Sequence, residues 1–192
     1  MALLHLSPLR SVTATRLVYL QPGAYYDDLR AQLVEIDIAL SNRPAFECVS
    51  YTWGDETAES RIQINSQLTT IRANLHTALR YIRLLDLLWI DALSISQTDI
   101  DEKARQVKMI GQIFQSATTV LAWVGEHAAS SQSLFVPGAM IEDVGVWKRL
   151  FHRNNHTSDL HARVAVWANF LTRPYWRRTW VVQEIICAQK LL

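Results

Sequence analysis

A chain of 192 residues, 49% hydrophobic and 19% charged, has the length of one domain and the apolar content for a sizeable core. Its formal net charge of +1 supplies no field that would argue for nucleic acid or a membrane surface. Two cysteines, Cys48 and Cys187, do not make a disulfide framework and fit a reduced, cytoplasmic protein.

The N-terminal MALLHLSPLRSVTATRL is broken by Pro8 and Arg10 and lacks the continuous apolar stretch of a signal peptide. No apolar run is long enough to span a bilayer. RLVYLQ (16–21) reads as a short strand closed by Pro22-Gly23. In LVEIDIAL, Val34, Ile36 and Ile38 alternate with Glu35 and Asp37, the period of a half-exposed strand. FECVSY (46–51) is a third strand. RIQIN and LTTI, separated by Ser66-Gln67, predict a hairpin.

The period then changes. Asn74 is placed to cap a helix whose buried side carries Leu75, Ala78, Leu79, Ile82 and Leu85. LLWIDA (87–92) is almost wholly apolar, as a strand covered on both faces would be. Asp99 and Glu102 have the spacing of an acidic helix start, followed by Ala104, Val107, Ile110, Ile113 and Phe114 on one side. TTVLAWVG (118–125) is another buried strand, and a Ser/Gly/Pro-rich stretch at about 126–145 reads as a surface excursion. Leu160, Val164, Trp167 and Leu171 space as a helix ended by Pro174. WVVQEIICAQKLL is a last helix with Glu184 beside its apolar face.

Alternating strands and helices predict an α/β fold: three layers, a mostly parallel central sheet, and an antiparallel embellishment near the N-terminus. In such sheets ligands bind beyond the carboxyl ends of the strands. Tyr51, Trp53, Gly54 and Asp55 come after one strand, Asp91 ends the next, and Trp123 and Gly125 end a third. Parallel strands would gather these groups on one rim.

The motifs YTWGD (51–55), LWIDALSISQ (88–97), EKARQVKMIGQIF (102–114), VLAWVG (120–125) and RPYWRRTWVVQE (173–184) stand in the order and spacing of the fungal heterokaryon incompatibility (HET) domain. The resemblance runs from about residue 45 to the C-terminus. It divides the chain into a β extension (1–44) and the domain (45–192), and it implies a fungal intracellular protein of non-self recognition and programmed cell death. HET domains are thought to be similar to TIR domains, flavodoxin-like α/β modules that self-associate, some of which hydrolyse NAD+ with a glutamate. CVSYTWGD resembles the first TIR strand and loop, and TWVVQEI the segment where a Trp precedes the functional Glu. The resemblance thus implies a homo-oligomer, death-signalling partner proteins, NAD+ as a substrate with no bound cofactor, and Glu184 as catalytic acid. Tyr51, Trp53, Gly54, Asp55, Asp91, Gln97 and Trp180 would bind the nucleotide. The chain departs from the family pattern at Ser94 and Ser96, where ALSISQ replaces ALCINQ; serine still donates and accepts hydrogen bonds, but the resemblance does not carry over roles that need a thiol or an amide there.

Each candidate also has a plainer reading. Asp91 would cap a loop, Glu184 would pair with Arg177 or Arg178, Tyr51 to Asp55 would form a turn packed by Trp53, and Gln97 and Asp99 would shape the next helix start. Aromatics suit stacking on a base, Gly54 allows close backbone approach, and a carboxylate stabilises oxocarbenium-like charge at a breaking glycosidic bond. His152, His156 and His161 lack the companion ligands of a zinc site, so no metal is expected. RPYWRRTW mixes arginines with aromatics, but no second basic stretch supports nucleic acid. The absence of a Walker loop and of GxGxxG argues against an NTPase or a dinucleotide dehydrogenase. Three readings stay open: a nucleotide hydrolase, a non-enzymatic self-associating module, and a degenerate inactive copy. The first expects Glu184, Asp91 and Trp53 to line one cleft, and it loses ground if Glu184 points to solvent or into an ion pair away from Asp91.

Overall fold

The computed structural model describes residues 6–85, 87–126, 165 and 167–192. Seven strands form, some alternating in burial and some buried along their length: β1 (Ala14–Leu20), β2 (Arg30–Asp37), β3 (Glu47–Tyr51), β4 (Glu59–Ile64), β5 (Gln67–Arg72), β6 (Leu87–Trp89) and β7 (Thr119–Trp123). They join one sheet in the order β5-β4-β2-β1-β6-β3-β7. The helices are α1 (Ala73–Tyr81), α2 (Asp91–Ser94), α3 (Ile100–Ser116) and α4 (Val181–Cys187).

The sheet is mixed rather than mostly parallel. β3 runs parallel to β6 and β7, and β2 to β4, while β1 is antiparallel to both β2 and β6 and β4 to β5. β1 and β2 therefore sit inside the sheet, between the β4–β5 hairpin and the parallel β6-β3-β7 group. Alternation along β1 splits its side chains. Val18 and Leu20 pack with Leu75 and Leu79 of α1, and Leu17 packs with Ile113 and Phe114 of α3. Helices thus cover both faces.

Four boundaries differ from the sequence reading. The hairpin turns at Asn65-Ser66, one residue earlier, with φ of 49° and 67°, the signs of a type I′ turn. Asn65 holds its place by accepting the Leu33 N–H at 2.9 Å. Ser66 has no such bond, so Ser66→Gly is expected to raise stability by about 0.5–1 kcal/mol in chemical denaturation, by relieving a left-handed side-chain conformation. Asn74 does not cap α1: the helix comes directly after β5, its cap position is Arg72, and no side chain caps it. β6 stops at Trp89, and Asp91 opens the short helix α2. α4 ends at Cys187. The chain beyond runs extended beside β7, where Val120 N donates to Lys190 O and Leu192 N to Val120 O, covering that sheet edge.

On α3, Asp99 caps the start by accepting the Glu102 N–H at 2.9 Å. Its buried side is only in part the apolar row expected: Ile113 and Phe114 are buried and Ile110 partly so, but the first turns differ. Ala104 is exposed and Val107 largely so, whereas Glu102 and Gln106 are buried. Gln106 accepts from Thr15 Oγ1 and donates to Ala14 O, and Glu102 pairs with Arg16.

Residues 126–177 form a separate compact unit. In its described part, residues 165 and 167–171 are helical, and Pro174–Arg177 make a 3₁₀ turn. Trp176 donates its indole N–H to Phe170 O there. The predicted excursion at 126–145, nearly all of it, and the three histidines at 152, 156 and 161 lie outside the described residues.

Candidate functional site

β6, β3 and β7 are parallel neighbours, so their carboxyl ends open on one side of the sheet. Local chemistry sets the path of the chain as it leaves each strand. After β3 the chain turns sharply at Gly54, whose φ of 76° suits glycine and where a Cβ would meet Asn74 Cβ at 3.0 Å. Asn74 is a residue whose site role the sequence did not reveal. It donates to Thr52 O and accepts the Trp123 indole N–H at 3.0 Å, tying the ends of β3 and β7 together. Only the polarity of a residue next to an apolar helix face could have signalled it.

Asp91 sits at the first position of α2. Its Oδ2 accepts the Trp53 indole N–H at 2.9 Å and its Oδ1 accepts the Ala92 N–H at 2.7 Å. Tyr51 bonds to it from the core. Burial pushes the Tyr51 phenol well above its usual pKa, and the Asp91 charge and hydrogen bond add to that, so Tyr51 stays protonated. Asp91 therefore fixes the indole plane of Trp53. Arg72 lies over the other aspect of that indole, 5.2 Å from the ring centre, held by Glu56 at 3.1 Å.

Glu184, 5% exposed, is on the buried side of α4. Both its oxygens are engaged. Ser50 Oγ donates to Oε2, Arg178 Nη1 to Oε2 at 3.1 Å, and Arg178 Nη2 to Oε1 at 2.9 Å. Nearby Cys48 is buried, and burial together with the charges of Glu184 and Glu47 pushes its thiol well up, which keeps it inert.

Trp53, Gly54, Asp91, Gln97, Trp180 and Glu184 line one cleft of about 490 Å³, together with the cations Lys103 and Arg178. Trp180 is half exposed at this cleft. Two of the predicted residues lie apart from it. Asp55 is exposed, and its Oδ1 is taken by the Thr57 N–H and hydroxyl at 2.8 Å each, bonds that hold its carboxyl below the usual range. It shapes the turn. Tyr51 lines a neighbouring cleft. Gln97 donates to Asp91 O and Ile95 O, so it braces the loop as well as lining the cleft.

The two serines that depart from the family pattern serve the backbone. Ser94 Oγ accepts the Ile90 N–H at 3.1 Å, and Ser96 Oγ accepts the Asp99 N–H at 3.2 Å. Among the described residues no group of His, Cys, Asp and Glu gathers to hold a metal, and no helix is long and apolar enough to cross a membrane.

The family model described as heterokaryon incompatibility protein (HET) matches residues 46–184, from the residue before β3 to Glu184 itself. Heterokaryon incompatibility protein 6, OR allele, of Neurospora crassa is 34% identical over 130 residues, covering 59% of this chain and 19% of that protein. The chain thus spans about a fifth of that relative's length. No solved structure matches. With five ordered motifs inside a family match over most of its length, the chain belongs to the fungal heterokaryon incompatibility (HET) family.

Proposed function

We propose that this chain is an effector of fungal non-self recognition that triggers programmed cell death by hydrolysing the nicotinamide–ribose bond of NAD+ in the cleft between Trp53 and Glu184. The observation that carries the reading is that Glu184, Asp91 and Trp53 line one cleft beyond the ends of parallel strands. Trp53 and Trp180 offer faces on which nicotinamide stacks. Asp91, at the cleft wall, accepts from ribose hydroxyls. Glu184 faces the anomeric carbon, where its charge stabilises the oxocarbenium-like transition state. The C1′–N bond breaks with its electron pair leaving on nicotinamide, which becomes neutral. A water oxygen bonds C1′ and releases its proton to solvent. Lys103 makes no ion pair among the described residues and is placed to meet phosphate. As the likeness of HET to TIR domains implies, the chain would act in the cytoplasm as a homo-oligomer.

A second reading has its own support. Glu184 is already held by Arg178 and Ser50, which is how a purely structural carboxylate is held. On that reading the rim keeps the fold, and the chain signals by self-association or by binding a death-signalling partner. The test is NAD+ loss and nicotinamide release by the purified full chain, concentrated on an oligomer-promoting support, beside growth arrest on expression in a fungal cell. Release of nicotinamide carries the first reading. Growth arrest without turnover carries the second, and neither effect marks an inactive copy.

A further inference from the structure

We infer that a smaller cleft, which shares Trp53 with the first, is a binding site for a flat heteroaromatic base, the purine of the same dinucleotide. The inference rests on the NAD+ reading and adds a subsite to it. Trp53, Ile95 and Gln97 line both clefts, so the two share a wall. The smaller holds about 260 Å³, too little for a whole dinucleotide but suited to one ring system. Its floor is apolar, made by Leu75 and Leu93, both buried, with Ile71. Thr69, Thr70, Gln97 and Thr98 supply uncharged polar groups at its sides. A purine needs this combination, because its faces are polarisable and its edges carry donors and acceptors.

Two further observations select the base over the phosphates. Glu56 and Glu59 stand at this cleft with a single arginine, Arg72, already paired to Glu56. That balance repels an anion, whereas Lys103 lies in the larger cleft. Thr70 Oγ1 is buried with no hydrogen-bond partner among the described residues. Such an orphan costs about 1–3 kcal/mol and is rare in native proteins. A base edge in the cleft supplies the missing partner.

The test is calorimetric binding of adenosine and of nicotinamide mononucleotide to the full chain. The two are expected to bind together without competing. Thr98→Trp, at an exposed position on the small cleft, is expected to weaken adenosine about tenfold or more and to leave the mononucleotide unchanged. Thr70→Val is expected to weaken adenosine severalfold while raising the Tm of the free protein, since the orphan hydroxyl is gone. A residue of merely structural importance would not move the two readouts in opposite directions. Competition between the ligands, adenosine binding unmoved by both variants, or no adenosine binding overturns the subsite. If NAD+ is never hydrolysed while adenosine still responds to both variants, hydrolysis fails and the subsite stands. If NAD+ is hydrolysed while adenosine ignores both variants, only the subsite fails.

Discussion

Glu102→Ala is expected to destabilise the protein by about 3–5 kcal/mol, because it leaves a buried guanidinium without its counter-charge. The side chains of Arg16 and Glu102 are 6% and 2% exposed. They meet as a two-pronged pair, Nη1 to Oε1 at 2.7 Å and Nη2 to Oε2 at 2.9 Å. The pair also organises backbone. Arg16 Nη1 donates to Ser94 O, and Glu102 Oε1 accepts the Ser96 N–H at 2.8 Å. The loop between α2 and α3, which carries Gln97, therefore hangs on these two side chains. Arg16→Met with Glu102→Leu is expected to recover much of the loss, since replacing both charges removes the unpaired one. Chemical denaturation of the singles and the double decides; a double as unstable as the sum of the singles would sink the account. The pH dependence has a definite sign. Burial opposes the Glu102 charge, but the Arg16 hydrogen bonds and the Ser96 N–H outweigh it and hold the carboxyl below its ordinary value of 4.5. A lowered native pKa means the unfolded chain binds the proton first. The contribution is complete above about 4.5 and is lost as pH falls through the native value. Wild type should lose stability below that pH more steeply than Glu102→Gln.

That pair was illegible in the sequence for a physical reason. Periodicity reports which side of an element is apolar, and it assigns a glutamate in a first helical turn to solvent. Burying Glu102 requires an arginine 86 residues away, and no local pattern encodes such a partner. Asn74 escaped in the same way: its local chemistry suggests a cap, and its actual partners lie on the loop after β3 and on β7. Strand direction was hidden too. The alternation in β1 and β2 marked them as strands, but pairing is a property of the assembled sheet, so they read as an embellishment and not as its middle. The parallel β6-β3-β7 group was legible, because apolar runs separated by helical patterns constrain direction. From that Trp53 and Asp91 could be placed on one rim, Glu184 was joined to them only by the TIR resemblance, and the three do share a cleft. Asp55 was drawn in only by its neighbours in YTWGD, and its bonds to Thr57 turn it away.

Glu184→Gln is the variant that separates catalysis from scaffolding. Glutamine keeps the shape of the side chain and one acceptor oxygen, so with that oxygen in the Oε2 position the Ser50 bond and the Arg178 Nη1 contact survive. What it loses is the charge that would face the developing positive charge on the sugar. If the NAD+ reading holds, kcat should fall by about 10²–10⁴-fold with KM nearly unchanged, a loss beyond the drop in Tm expected from leaving Arg178 without its counter-charge. Arg178 touches the same carboxylate with both Nη atoms, and on that reading it would act through it as a positioning residue. Arg178→Met should then lower kcat by a smaller factor, because the carboxylate remains but is no longer aimed. The decisive quantity is the double variant. A residue that works only by orienting Glu184 has nothing left to orient once the charge is gone, so the double should be no slower than Glu184→Gln alone. Losses that add would place Arg178 on the substrate in its own right. Losses of growth arrest that simply track Tm in all three proteins would return Glu184 to the role of a buried ion-pair partner and leave the cleft without its acid.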